Sequence, residues 1–125
     1  MTKFKTQGLG STFKNARKGV RLAIKSERNI RIHLIVALFV IAFAAYLKFS
    51  PNQFCVLITV ITSVVAAEMF NAAIEFSLDS IYHNKYSRMV GMAKDIAAGA
   101  VLLVTANAIL VGLVLFLPKI IELLS

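Results

Sequence analysis

A chain with one cysteine, Cys55, forms no internal disulfide, and no Cys/His spacing in it suits zinc, so redox and zinc-site readings drop out. It also lacks a G-x-x-x-x-G-K-S/T phosphate loop and the signature set of a protein kinase, so an ordinary nucleotide cradle is missing. Acids are scarce: 6 Asp+Glu stand against 14 Lys+Arg, a formal net charge of +8. No base-reading module accompanies that positive charge, so no nucleic-acid partner is expected. The basic N-terminal stretch does not read as a signal peptide, because its cations continue to Arg31 and no small-residue cleavage pattern follows the first apolar run.

What the chain has in abundance is apolar surface. Of its 125 residues 58% are hydrophobic, and the mean hydropathy is +0.78. A water-soluble domain of this length hides only part of so much apolar area in one core, so a bilayer must solvate the rest. The first apolar run covers residues 32–49, broken by His33 and Lys48; the second covers 54–76; the third covers 96–117 and is closed by Pro118. At ~1.5 Å per helical residue each reaches, with some tilt, across a ~30 Å hydrocarbon layer. The expected fold is an all-α integral membrane protein, a single domain with a basic surface helix over residues 1–31 and three transmembrane helices. Lys and Arg crowd residues 1–31 and recur at Lys85, Arg88 and Lys94, whereas Lys48 and Lys119 alone fall on the other side. Positive charge on the cytoplasmic side then predicts a cytoplasmic N-terminus and an external turn at Ser50, Pro51 and Asn52.

In the basic leader, Phe13, Ala16, Val20, Ala23, Ile24 and Glu27 recur at three- and four-residue steps, opposite Lys14, Lys18, Arg21, Lys25 and Arg28. That is the pattern of an amphipathic helix lying on anionic headgroups, either as an anchor or in direct contact with a lipid substrate.

Acidic residues inside the membrane are costly, and a row of them marks a need for charge or metal. Glu68, Asn71, Glu75 and Asp79 fall within an arc of about 80° on one helical face. Glu68 lies roughly two turns deeper than Glu75, so it suits proton exchange with a substrate, while the shallower acids suit a divalent cation such as magnesium. The bland reading is that these groups join helices through buried hydrogen bonds; a second is a proton or ion pathway. The third span opens on Lys94, Asp95, Ile96, Ala97, Ala98, Gly99 and Ala100, whose small side chains allow close helix approach. His33 and His83 read as interfacial, and Tyr82 and Tyr86 as anchors at headgroup level.

Taken together, Glu68-Met69-Phe70-Asn71-Ala72-Ala73-Ile74-Glu75, then Asp79, then Gly91, Ala93, Lys94, Asp95 and the run from Ala97 to Val101 resemble the small bacterial diacylglycerol kinase and undecaprenol kinase family. The likeness extends over nearly the whole chain, including Lys18-Gly19 and Glu27 to Arg31. It implies a homotrimer in the bacterial inner membrane that uses ATP and Mg2+ to phosphorylate a lipid alcohol, with active sites shared between subunits. By position, it implies that Glu68 is the catalytic base and that Glu27 and Glu75 hold metal. Lys18, Glu27, Glu75, Asp79, Lys94 and Asp95 are then nucleotide-binding, and Glu68, Asn71 and Ala98 face the lipid substrate. Ala72 and Met92 depart from the family pattern, where a hydroxyl and a basic residue often stand. The segment from Glu27 to His33 is similar to the undecaprenol kinase branch, so an isoprenoid alcohol is the expected substrate and diacylglycerol the alternative. A non-enzymatic membrane subunit or proton-coupled transporter is the alternative from another class; it predicts no labelled phosphate in an organic-phase product.

Overall fold

A computed structural model of the chain describes residues 8–125, which form four helices: α1 (Leu9–Ser26), α2 (Arg28–Tyr46), α3 (Pro51–Tyr82) and α4 (Arg88–Leu124). Residues 1–7 of the expected surface helix lie outside the described residues. Three helices, α2, α3 and α4, are long and apolar enough to cross a membrane, which makes the chain a multi-pass membrane protein. α3 packs against both α2 and α4, and α1 touches α2. With 32 residues, α3 runs about 48 Å, longer than a ~30 Å hydrocarbon layer is thick.

The helix boundaries follow from local chemistry. Glu27, extended at φ −113° and ψ 110°, is a one-residue break that ends α1 and starts α2. Its amide donates to the Ala23 carbonyl and its carbonyl accepts from the Arg31 amide, while its side chain makes no cap bond. Arg31 reaches back, its Nη1 donating to the carbonyls of Ile24 (2.9 Å) and Lys25 (2.8 Å) at the end of α1. A cation on those last carbonyls satisfies free acceptors at the negative end of the helix.

At the far end, α2 stops at Tyr46 although the apolar run continues to Phe49. Lys48 takes a left-handed conformation (φ 60°); its amide donates to Ala45 and that of Phe49 to Ala44, the double closure of a Schellman turn. Leu47 and Phe49 fold back into the core with Ala44 and Leu57. α3 then starts through a capping box, with the Gln53 amide donating to Ser50 Oγ (3.2 Å), the Ser50 amide donating to Gln53 Oε1 (2.8 Å), and Pro51 in the first turn.

Phe49 meets Phe54 and Phe116 with ring centroids 5.8 and 4.8 Å apart, and Phe116 also stacks on Phe43 at 5.6 Å. α4 does not end at Pro118, as the sequence suggested, but continues to Leu124. Phe116 and Ile120, on either side of the proline, both pack on the core, and that packing outweighs the one backbone hydrogen bond that Pro118 cannot make. The aromatic clamp fixes one end of the helical stack. Polar residues collect at the other.

Candidate functional site

The stripe predicted on the second span exists, and α3 turns it toward its neighbours. Glu68, Asn71, Glu75 and Asp79 are all half-buried, whereas Phe70, Phe76 and Ile81, off the stripe, are exposed. Each polar group on the stripe has a close partner. His33 Nε2 on α2 lies 3.1 Å from Glu68 Oε1. Asn71 Nδ2 donates to Glu75 Oε1 (2.8 Å), one turn along the same helix. Lys94 Nζ on α4 donates to Asp79 Oδ1 (2.7 Å). The row therefore faces the crevice lined by α2 and α4.

Glu68 is the most enclosed acid for which an ion pair is seen, with its side chain 12% exposed. Its second oxygen, Oε2, is buried with no hydrogen-bond partner among the described residues, as is Oδ1 of Asn71. An acceptor left unsatisfied in a low-dielectric site costs on the order of 1–3 kcal/mol, more when charged, and marks a position awaiting a donor or cation. Glu68 and Asn71 line a pocket of about 220 Å³ together with Glu27, Asn29, Ala98 and Val101. Glu27, at the break between α1 and α2, spends its carboxylate on no cap bond, and it lines this pocket. The small residues of α4 bring that helix close: Ala97 is buried and Ala98 forms part of the wall.

On the other side of the His33–Glu68 contact lies an apolar groove of about 350 Å³, walled by α2, α3 and α4 through Ala37, Leu57, Val64 and Ile109 among others. His33 lines the groove and Glu68 lines the polar pocket. The two side chains meet where an apolar cavity and a polar one come together.

Of the residues singled out in the sequence, Glu27, Glu68, Asn71 and Ala98 share one pocket, Glu75 joins them through Asn71, and Asp79 is tied to Lys94. Lys18 is not among them within one chain. It lies on α1 in a separate basic cleft with Lys14, Arg17 and Arg21. Asp95 is exposed and does not line the pocket. Ala72 is buried away from the pocket lining and Met92 is exposed. Sequence reasoning passed over His33 as an interfacial residue; its signal was a titratable group inside an apolar run, which needs a partner.

Among the described residues no three His, Cys, Asp or Glu side chains gather closely enough to hold a metal by themselves. Magnesium seldom needs such a cage, since it takes one or two carboxylates, water and substrate phosphates. The carboxylate of Glu27 lines the pocket, and that of Glu75 is held beside it by Asn71, whose own Oδ1 has no partner among the described residues; these are hard donors of the required kind, so the set fits a partly hydrated divalent ion.

Fold and site together define a class: an all-helical, multi-pass membrane protein with an acidic pocket along the second half of its middle span, joined to an apolar groove. Residues 14–116 match the family described as prokaryotic diacylglycerol kinase. A diacylglycerol kinase of Synechocystis sp. is 35% identical over 113 residues, covering 90% of this chain and 65% of that protein. An undecaprenol kinase of Bacillus subtilis is 31% identical over 108 residues, covering 86% of this chain and 87% of that protein. The chain thus spans just under two thirds of the Synechocystis relative and most of the Bacillus one. It belongs to the prokaryotic diacylglycerol kinase family, a family of lipid kinases.

Proposed function

We propose that this chain is a kinase that transfers the terminal phosphate of ATP to a membrane lipid alcohol, undecaprenol, with Mg2+ bound to the triphosphate. The observation that carries the reading is the unpartnered Oε2 of Glu68, buried where the polar pocket and the apolar groove meet. A lipid hydroxyl arriving from the bilayer is a donor for that acceptor, and nucleotide entering from the aqueous side meets the pocket's acids.

In this mechanism Glu68 Oε2 accepts the hydroxyl proton as the lipid oxygen attacks the terminal phosphorus. The bond from phosphorus to the bridging oxygen breaks, and the electron pair leaves with ADP. Glu27 and Glu75 would hold the divalent ion, which when bound supplies charge neutralisation on the triphosphate. Asn71 fixes the Glu75 carboxylate by its hydrogen bond. Asp79 orients Lys94, whose ammonium has further donors for phosphate. Little covalent work falls to the protein in phosphoryl transfer, so alignment and charge suffice without a phosphate loop.

Two further elements belong to the same reading. The basic N-terminus is cytoplasmic in a bacterial inner membrane, placing the pocket on the ATP side. The chain assembles as a homotrimer, in which Lys18 and Asp95, outside the pocket in one chain, complete a neighbour's nucleotide site. Diacylglycerol is the second substrate reading, favoured by the name of the Synechocystis relative, because apolar walls discriminate weakly between single-hydroxyl lipids. Purified protein given terminally labelled ATP, Mg2+ and either lipid in parallel tests the proposal. Label extracted with undecaprenol into the organic phase is expected; label with diacylglycerol alone reverses the substrate, and label with neither rejects the kinase.

A further inference from the structure

The closest contact made by Glu68 comes from His33, a residue to which the proposed chemistry assigns no task. His33 sits one turn into α2, is about one-third exposed, and brings Nε2 to 3.1 Å from Glu68 Oε1. Oε2 of the same carboxylate has no hydrogen-bond partner among the described residues. The two oxygens thus stand in different environments. One faces an imidazole, and the other is free to receive a proton.

We infer that His33 is the positioning residue for the carboxylate base, its Nε2, 3.1 Å from Glu68 Oε1, engaging that oxygen and thereby leaving Oε2 toward the substrate hydroxyl. The inference rests on the kinase reading of this site. A Glu side chain has three rotatable bonds, and in an apolar helical environment a carboxylate without a donor turns toward whatever polar group it can find. Asn71, on the same face of α3, already gives its amide to Glu75, and Lys94 gives its ammonium to Asp79, so neither replaces the imidazole at Glu68. The position of His33 between two cavities adds a second reason. His33 forms part of the apolar groove while its nitrogen reaches the acid that lines the polar pocket, so the base is held from the side on which the apolar groove lies.

The geometry discriminates among substitutes. In Gln the amide nitrogen is as many bonds from Cβ as Nε2 of His, whereas in Asn it is one bond shorter; Leu fills the groove but donates nothing. The full chain in detergent-lipid micelles, with ATP, Mg2+ and undecaprenol, is assayed as wild type, H33Q, H33N and H33L. Misplacing a reacting group by about 1 Å costs up to about 100-fold in rate, so H33N and H33L are expected to lose about 10- to 100-fold in kcat with KM for ATP unchanged, and H33Q to stay within about threefold of wild type. Wild-type kcat in H33L overturns the inference, and so does equal impairment of H33Q, H33N and H33L, which assigns His33 to packing. If H33L does not fold, the contrast between H33Q and H33N decides alone. A wild-type chain that phosphorylates diacylglycerol instead leaves the test intact with that lipid; one that phosphorylates no lipid alcohol fails the kinase reading itself, a result distinct from any pattern among the His33 variants.

Discussion

Arg31 holds the surface helix to the first span, and Arg31→Gln tests how much of the site depends on that hold. Its guanidinium donates from one nitrogen to the carbonyls of Ile24 and Lys25, at 2.9 and 2.8 Å. Hydrogen bonds from a charged donor contribute about 1.5–3 kcal/mol each when protected. Here a single Nη1 is shared between two carbonyls, and the residue is exposed, so the loss on removing it is on the order of 1–2 kcal/mol. At 1.4 kcal/mol per factor of ten, the junction then opens roughly five- to thirtyfold more often. The break at Glu27 lies inside the loop that Arg31 closes, so its carboxylate leaves the pocket whenever the junction opens. Hydrogen exchange read residue by residue gives the test. Amides of Glu27 and Arg31, which donate to Ala23 and Glu27, are expected to lose protection by about that factor, while amides in the middle of α3 keep theirs. Unchanged protection at the junction, or loss spread evenly over all four helices, refutes the reasoning.

Asn71→Asp sets a second carboxylate beside Glu75 in place of the amide that now bonds it, and is expected to cost at least tenfold in lipid phosphorylation, measured with labelled ATP, and to lower thermal stability. The Lys94–Asp79 pair has both side chains more than a third exposed, so K94M and D79N should change the melting temperature little while K94M sharply reduces turnover; a large melting shift with full turnover contradicts the nucleotide role. Ser50→Ala removes the side-chain half of the capping box at the start of α3 and is expected to cost about 1 kcal/mol in denaturant unfolding with activity preserved. Gly91→Val should disturb the second connection, because a Cβ at Gly91 lies 2.7 Å from Tyr86 Oη; the exposed ring is free to swing from a single methyl, so Gly91→Ala should be mild by the same unfolding measurement.

The acid stripe was legible in the sequence because it combines two strong signals, a period of three to four residues and a charge that hydrocarbon does not tolerate. Helix α4 was legible at its start for a related reason: Ala97, Ala98 and Gly99 permit close approach, and Ala97 is buried. The break at Glu27 was not, because no glycine or proline marks it; the break is held by backbone bonds to Ala23 and Arg31 and by the distant guanidinium. Hydropathy ran the first span to Phe49, since Leu47 and Phe49 are apolar, but they are apolar in order to fill the core of the turn rather than to extend the helix. Pro118 read as a terminator, and only the packing of Phe116 and Ile120 against the aromatic cluster shows why the helix passes through it. The His33–Glu68 contact joins residues on different spans, a pairing that no periodicity along one helix encodes.

Glu68→Gln tests the central claim most directly, since it keeps the shape of the side chain and removes the proton acceptor. With helical content and detergent-complex size matched to the unmodified chain, transfer of labelled phosphate from ATP to the lipid is expected to fall to background. Turnover within tenfold of wild type contradicts the account.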